Sequence, residues 1–313
     1  PVFHVKFSTD RSFRFADTEN TVVTDSYYRN DVFSVLGYRK ITRRLPFQTG
    51  KRGLYGIPSL NMTARDFFMT TNFAYSRKSD AWLYVLPKRV ASPELSMFCS
   101  HLLGELETRR NQMEDPYTFR GIREYTYGDT YGKINWKATA KASKLMVNMY
   151  GYTSEQRVRI LLNLETNIMV KTEYLQEMSI RMAGTIAEYF LQHKVSVELV
   201  SNGIDCMTGA CERVEAGMSM EHGETIDKYL ARIKENAGID AFMQMVDTEI
   251  QQMEEPITYV IISPYYKEDL LLKLDYMHKK HPELHMVVPY YDIQDKTGWR
   301  GYMQGVEVKW NEI

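Results

Sequence analysis

Arg123 and Asp129 are the first pair in this chain whose types and spacing could do a specific job. A guanidinium presents a planar fork that a carboxylate accepts with both oxygens. The intervening Gly128-Asp129 step is a strong turn signal, because glycine tolerates positive φ and aspartate accepts nearby backbone N–H groups. The surrounding stretch 120–147, RGIREYTYGDTYGKINWKATAKASKLMV, also carries Tyr125, Trp136, Lys133, Lys137, Lys141 and Lys144. One reading is a structural latch of Arg123, Tyr125, Gly128, Asp129 and Trp136. It has a buried ion pair, Ile134 and Trp136 buried together, and the lysines left in water. The other reading is a docking surface whose lysines, Lys133 and Lys137 among them, meet an acidic partner.

Catalytic and metal-binding arrangements are hard to find elsewhere. The histidines, His4, His101, His193, His222, His278, His281 and His285, form no G-x-S-x-G, H-E-x-x-H or Cys/His pattern. His278, His281 and His285 cluster, and are expected as solvated side chains around a helix end and a strand start. No G-x-x-x-x-G-K-[ST] loop is present, so the chain does not read as an ATPase, nor as an enzyme of another kind. Cys99, Cys206 and Cys211 are too few and too odd in number for a disulfide framework and read as reduced thiols. No cofactor is expected.

The elements that position these residues follow from periodicity. Residues 1–90 read as short strands, such as Val2–Phe7, Asp31–Leu36 and Trp82–Leu86, which predict a small β-sandwich. Residues 91–119 read as a helical linker, because Leu95, Phe98, Leu102, Leu103 and Leu106 share one helical face over Pro93–Arg110. The last region, 120–313, contains the latch and then an α/β domain. Leu145, Val147 and Met149 alternate as a strand, and a hairpin is expected with the strand at Val158–Asn163. Strands at Val195–Val200, Ile257–Ser263 and His285–Pro289 then alternate with helices near Val170–His193, Thr225–Ile250 and Lys267–His281. Such alternation predicts a doubly wound, mostly parallel sheet with helices on both faces. Tyr174, Met178, Met182 and Ile186 recur at helical spacing and read as core.

The stretch 120–147 resembles the signature of the bacterial DUF58 family, R-x-Y-x-x-G-D-x-x-R-x-I-D-W-K-x-x-A-R, which leads into a von Willebrand factor A-like (vWA) domain. The frame Arg123, Gly128-Asp129 and Trp136 is kept, whereas Gly132, Asn135 and Lys141 stand where Arg, Asp and Arg are usual. Lys51-Arg52-Gly53-Leu54-Tyr55-Gly56 is similar to a second family segment. There Arg52 and Tyr55 are expected to pack at a strand edge with a solvated head group. The resemblance implies a vWA-like fold for 120–313. A metal-binding vWA domain carries D-x-S-x-S after its first core strand, supplying hard oxygen ligands for Mg²⁺. Here that segment reads Asn163-Leu164-Glu165-Thr166-Asn167, and the third core strand ends at Ser263. Thr208 is the candidate for the loop threonine. The expectation is a loop without metal, where Asn163, Glu165, Asn167 and Ser263 contact a protein partner. A Mg²⁺-dependent ligand-binding vWA module is the alternative.

The family's association with MoxR-type AAA+ ATPases implies a non-catalytic adaptor partnered with such an ATPase. Family members carry transmembrane helices near the N-terminus, which implies a membrane anchor upstream of Pro1 and a soluble part facing the bacterial cytoplasm. Residues 1–89 hold 15 Lys/Arg against 7 Asp/Glu, and residues 151–313 hold 16 against 26. This asymmetry fits either two solvated surfaces or a basic domain near an anionic membrane face. Interleaved acidic residues make nucleic acid a poor partner.

Overall fold

The computed structural model describes residues 2–35, 37–57, 59–66, 68, 70–79, 81–112, 114–152, 156–165, 172–234, 241–252, 257–290 and 299–307. The chain forms two compact units. The first comprises residues 1–88, 204–210 and 227–234, and the second comprises 89–203, 211–226 and 235–313. No helix among the described residues is long and apolar enough to cross a membrane.

Near the N-terminus the strands are β1 (Val2–Thr9), β2 (Phe13–Phe15), β3 (Thr21–Val23), β4 (Tyr27–Ser34), β5 (Phe47–Thr49), β6 (Gly53–Gly56), β7 (Ser59–Arg65), β8 (Asn72–Lys78) and β9 (Trp82–Val85). Five of them form an antiparallel sheet in the order β3-β4-β1-β7-β8, while β2 pairs with β5 and β6 with β9. Alternation along β1 sends Phe3, Val5 and Phe7 to one face. Aromatic contacts tie that face to the β2–β5 ribbon: Phe7 meets Phe15 at 6.3 Å between centroids, and Phe15 meets Tyr27 at 4.7 Å. In place of the second sheet expected of a sandwich stand two ribbons, β2–β5 and β6–β9, joined by Phe13 and Tyr55 at 5.1 Å between centroids. Buried Arg29 is held by both Asp31 oxygens and by Asp17.

The rest of the chain runs α1 (Pro93–Gln112), β10 (Glu114–Glu124), α2 (Trp136–Ala142), β11 (Met146–Tyr152), β12 (Arg157–Leu162), α3 (Thr172–Gln192), β13 (Ser196–Ser201), β14 (Ile204–Asp205), β15 (Arg213–Gly217), α4 (Met220–Arg232), β16 (Ile233–Lys234), α5 (Ala241–Gln251), β17 (Ile257–Ile262), α6 (Glu268–Lys280), β18 (Leu284–Tyr290) and β19 (Met303–Glu307). The second unit contains a six-stranded mixed sheet in the order β15-β13-β12-β17-β18-β19. All its pairings are parallel except β13 with β15. From β12 the chain builds outward to β13 and β15, then returns to the other side of β12 with β17. This reversal makes the β12/β17 junction a switch point, where ligands of such sheets gather. β13 and β17 are buried along their whole length and β12 nearly so, as expected of parallel strands covered on both faces. On one face Leu161, Tyr259, Ile261 and Met286 pack with Phe242, Val246, Leu270, Leu274 and Met277 of α5 and α6. α3 lies along β12, β13, β17 and β18, with its Met178, Met182 and Ile186 stripe in the core.

Several expectations are corrected. β11 pairs with β10, not β12, so the hairpin joins the latch strands instead. The helix expected over Thr225–Ile250 is two helices, broken where Ile233–Lys234 leaves to pair with Ile204–Asp205 in the first unit. α1 belongs to the second unit rather than standing as a separate linker. Arg52 is not a solvated edge residue: its guanidinium donates to the carbonyls of Leu230 (2.6 Å) and Ile233 (3.0 Å), at the C-terminal end of α4. Those carbonyls lack helical partners, which is why a basic side chain is stabilising there.

Candidate functional site

Sheet register assembles the candidate site. Leu162 lies level with Ser201 on one side and Ile262 on the other. The residues that follow, Asn163, Asn202 and Ser263, therefore emerge together at the carboxyl ends of β12, β13 and β17. All three are buried, so each polar atom needs a partner. Asn163 Nδ2 donates to Ser263 Oγ (2.9 Å), and Asn163 Oδ1 accepts from Asn202 Nδ2 (3.0 Å) and from the Glu165 N–H (2.9 Å). Asn202 Oδ1 accepts from the Leu164 N–H at 2.9 Å. Ser263 Oγ donates its only proton to Tyr265 O (2.7 Å) and accepts from the Tyr265 N–H at 3.1 Å.

This inventory decides what the site can hold. A hydroxyl has one donor and two acceptor positions, and an amide oxygen has two lone pairs. Ser263 Oγ uses all three of its positions, and Asn163 Oδ1 uses both of its lone pairs. Glu165 brings the one charge, and its Oε1 is taken by the Asn202 amide (3.4 Å) and by the Phe242 N–H (3.2 Å) in the first turn of α5. A carboxylate at a helix N-terminus is stabilised by the helix dipole. Asn163 Oδ1, Ser263 Oγ and Glu165 Oε1, hard oxygens of the kind a divalent cation needs, are thus engaged within the protein. Among the described residues no cluster of His, Cys, Asp and Glu could hold a metal. Asn167 lies outside the described residues. Thr208 is exposed in the 204–210 segment of the first unit, whereas the network belongs to the second. Asn202 was not anticipated from sequence, although an Asn-Gly pair closing an apolar strand is a legible turn signal.

The latch is built as expected in its ion pair. Arg123 donates to both Asp129 oxygens, at 2.7 and 2.6 Å, and the Thr126 N–H and hydroxyl add to the same carboxylate at 2.8 and 3.0 Å. Gly128 sits at φ 117°, the conformation that makes the turn possible. The Arg123 guanidinium, then the Thr126 N–H, hold the Asp129 carboxyl well below the usual carboxylate range. The pair is not buried, however: the Arg123 side chain is 42% exposed. Asn135 caps α2 by accepting from the Ala138 N–H at 2.9 Å and donates to Asn148 at 2.7 Å. An ionised Asp at that position could not make the second bond. Ile134 is buried, but Trp136 is 68% exposed, which corrects the expectation that they bury together. Tyr125 stacks on Tyr131 at 6.1 Å between centroids. Lys137 is exposed and Lys133 half-buried. The structure does not bring the latch lysines into the Asn163–Ser263 network.

Two features escaped the sequence reading. The first is a charge quartet in the second unit, with Arg159, Glu198 and Glu249 buried and Arg213 at its one-third-exposed edge. Arg159 Nε contacts Glu198 at 2.8 Å and its Nη1 contacts Glu249, while Arg213 Nε lies 3.2 Å from Glu198 and its Nη2 contacts Glu249. These alternating signs leave neither buried carboxylate without a cation where water is excluded. The second is His285, expected in solvent but half-buried beneath α1, with Nε2 3.3 Å from Glu105 and its ring edge-on to Phe98. Burial pushes its pKa down against the opposing pull of Glu105. His278 similarly rests on the Tyr302 ring and His281 on Tyr259.

Compared with models of known protein families and with curated proteins, the chain has no match in either.

Proposed function

We propose that this protein is a non-catalytic adaptor whose second unit is a vWA-like domain that binds a protein partner without a metal. The observation that carries the reading is the closed hydrogen-bond network of Asn163, Asn202, Ser263 and Glu165 at the switch point, where cation ligands would otherwise stand. The sheet order, with a single antiparallel strand at the β15 edge, supports the vWA-like assignment. The resemblance of residues 120–147 to the DUF58 signature adds the partner: a MoxR-type AAA+ ATPase at the bacterial cytoplasmic membrane.

The test is a pulldown of the cognate ATPase by the full-length protein, with nucleotide present, in Mg²⁺-free and Mg²⁺-containing buffers matched at the nucleotide-binding ATPase. Capture is expected, together with a flat thermal-unfolding response of the isolated protein to Mg²⁺ or Mn²⁺, since a bound ion would raise the melting temperature by mass action. A persistently negative pulldown sinks the adaptor reading. A metal-dependent rise in melting temperature favours a Mg²⁺-dependent ligand-binding module instead.

A further inference from the structure

The stretch 119–145 presents an aromatic and basic surface that the latch does not use. Tyr127 is fully exposed, Tyr131 is 75% exposed and Trp136 is 68% exposed. Their backbone is firmly held: the Tyr125 N–H reaches Leu145 O at 2.9 Å, the Asn135 N–H reaches Met146 O at 2.8 Å, and the Arg123–Asp129 pair closes the turn. Large rings are therefore carried into water on an ordered backbone, which costs hydration, although Tyr131 stacks on Tyr125. Within the same stretch six basic side chains face two acidic ones, Glu124 and Asp129. Both acids are spent locally, on Lys144 at 2.9 Å and on Arg123. Lys137 and Lys141, one turn apart on α2, are exposed, and among the described residues neither has a carboxylate partner.

We propose that this surface docks on the anionic headgroups of a lipid bilayer. The combination of residue types selects the occupant. Protein–protein interfaces favour Tyr, Trp and Arg but are depleted in lysine. Bilayer interfaces take Trp and Tyr at headgroup level, with lysines attracted to acidic lipid. The inference does not depend on the ATPase partnership, and a negative pulldown leaves the vesicle result standing.

The experiment is flotation of the full chain with vesicles of phosphatidylcholine alone or with added phosphatidylglycerol. Binding is expected only with phosphatidylglycerol, and it should weaken with salt. Lys137→Ala/Lys141→Ala should weaken it by roughly thirty-fold, from about fivefold per basic side chain at such a surface. Replacing both lysines by arginine should preserve it. A blue shift of tryptophan emission on binding should vanish in Trp136→Phe. All these positions are exposed, and circular dichroism checks that the variants remain folded. Failure to bind phosphatidylglycerol vesicles overturns the proposal, as does binding indifferent to these variants. So does capture of polyglutamate, lost in the lysine variant, with no vesicle binding.

Discussion

Asn163→Asp is the sharpest perturbation of the switch-point network, because it exchanges one nitrogen for an oxygen. Asn163 Nδ2 lies 2.9 Å from Ser263 Oγ, whose only proton already goes to Tyr265 O. An ionised carboxylate there places oxygen against oxygen in a site with no solvent exposure. The Asn202 amide and the Glu165 N–H continue to donate to the other oxygen, and Glu165 adds a like charge nearby. Leaving a buried charge without a counter-ion costs about 3–5 kcal/mol. Burial raises the folded pKa of the new carboxyl above its unfolded value of about 3.9. The folded state then holds the proton more tightly, so the variant loses stability as pH rises through that window and recovers it as pH falls below. Urea unfolding near pH 7 and about pH 4.5, with and without millimolar Mg²⁺, reads both the penalty and its sign. A penalty under about 1 kcal/mol at neutral pH refutes the closed-network reasoning. Full rescue by Mg²⁺ refutes it too, since it would reveal a latent cation site.

Arg159→Met should cost about 3–5 kcal/mol in urea unfolding, because Glu198 and Glu249 are both almost completely buried and would share the one-third-exposed Arg213. Arg123→Ala should move the Asp129 carboxyl, followed by NMR titration, back up toward the ordinary range. Because the paired pKa is depressed, the pair's contribution is present above the unfolded value and fades as pH falls through the folded one, so the stability gap between variant and parent should close in acid. Burial pushes the Cys99 thiol up to about 12. A thiol reagent at mildly alkaline pH should therefore label exposed Cys206 and Cys211 in the native protein and reach Cys99 only on unfolding.

The apolar runs of β12, β13, β17 and β18 were legible because a parallel strand buried on both faces leaves no room for polar alternation. What the runs hid was their charges. Arg159 and Glu198 interrupt otherwise apolar strands, and a buried charge demands a partner, yet only the β12/β13 register places them side by side. Strand character without partner choice also explains the misplaced hairpin: alternation of Leu145, Val147 and Met149 marks a strand but does not say that Glu124 pairs with Met146. The helix break at Ile233 was invisible because periodicity carries across it, and the competing β14 pairing lies about 30 residues upstream. Trp136 was assigned to the core on residue type alone, whereas it opens the short helix α2 and faces water. At the site, the resemblance to a vWA D-x-S-x-S segment points to Asn163, Glu165 and Ser263, whereas Asn202, closing β13, has no counterpart in that pattern.

The first unit draws residues 204–210 and 227–234 from far along the chain, and Arg52 finds its carbonyl acceptors 178 and 181 residues downstream. At a translation rate of 5–20 residues per second, the N-terminal strands wait on the order of ten to forty seconds for those acceptors. The first unit thus cannot close until Lys234 has been made, after β12 and β13 of the second unit. A chain released before Lys234 lacks β16 and leaves β14 without its pairing strand. Synthesis of the second unit's central strands is therefore under way before the first can close.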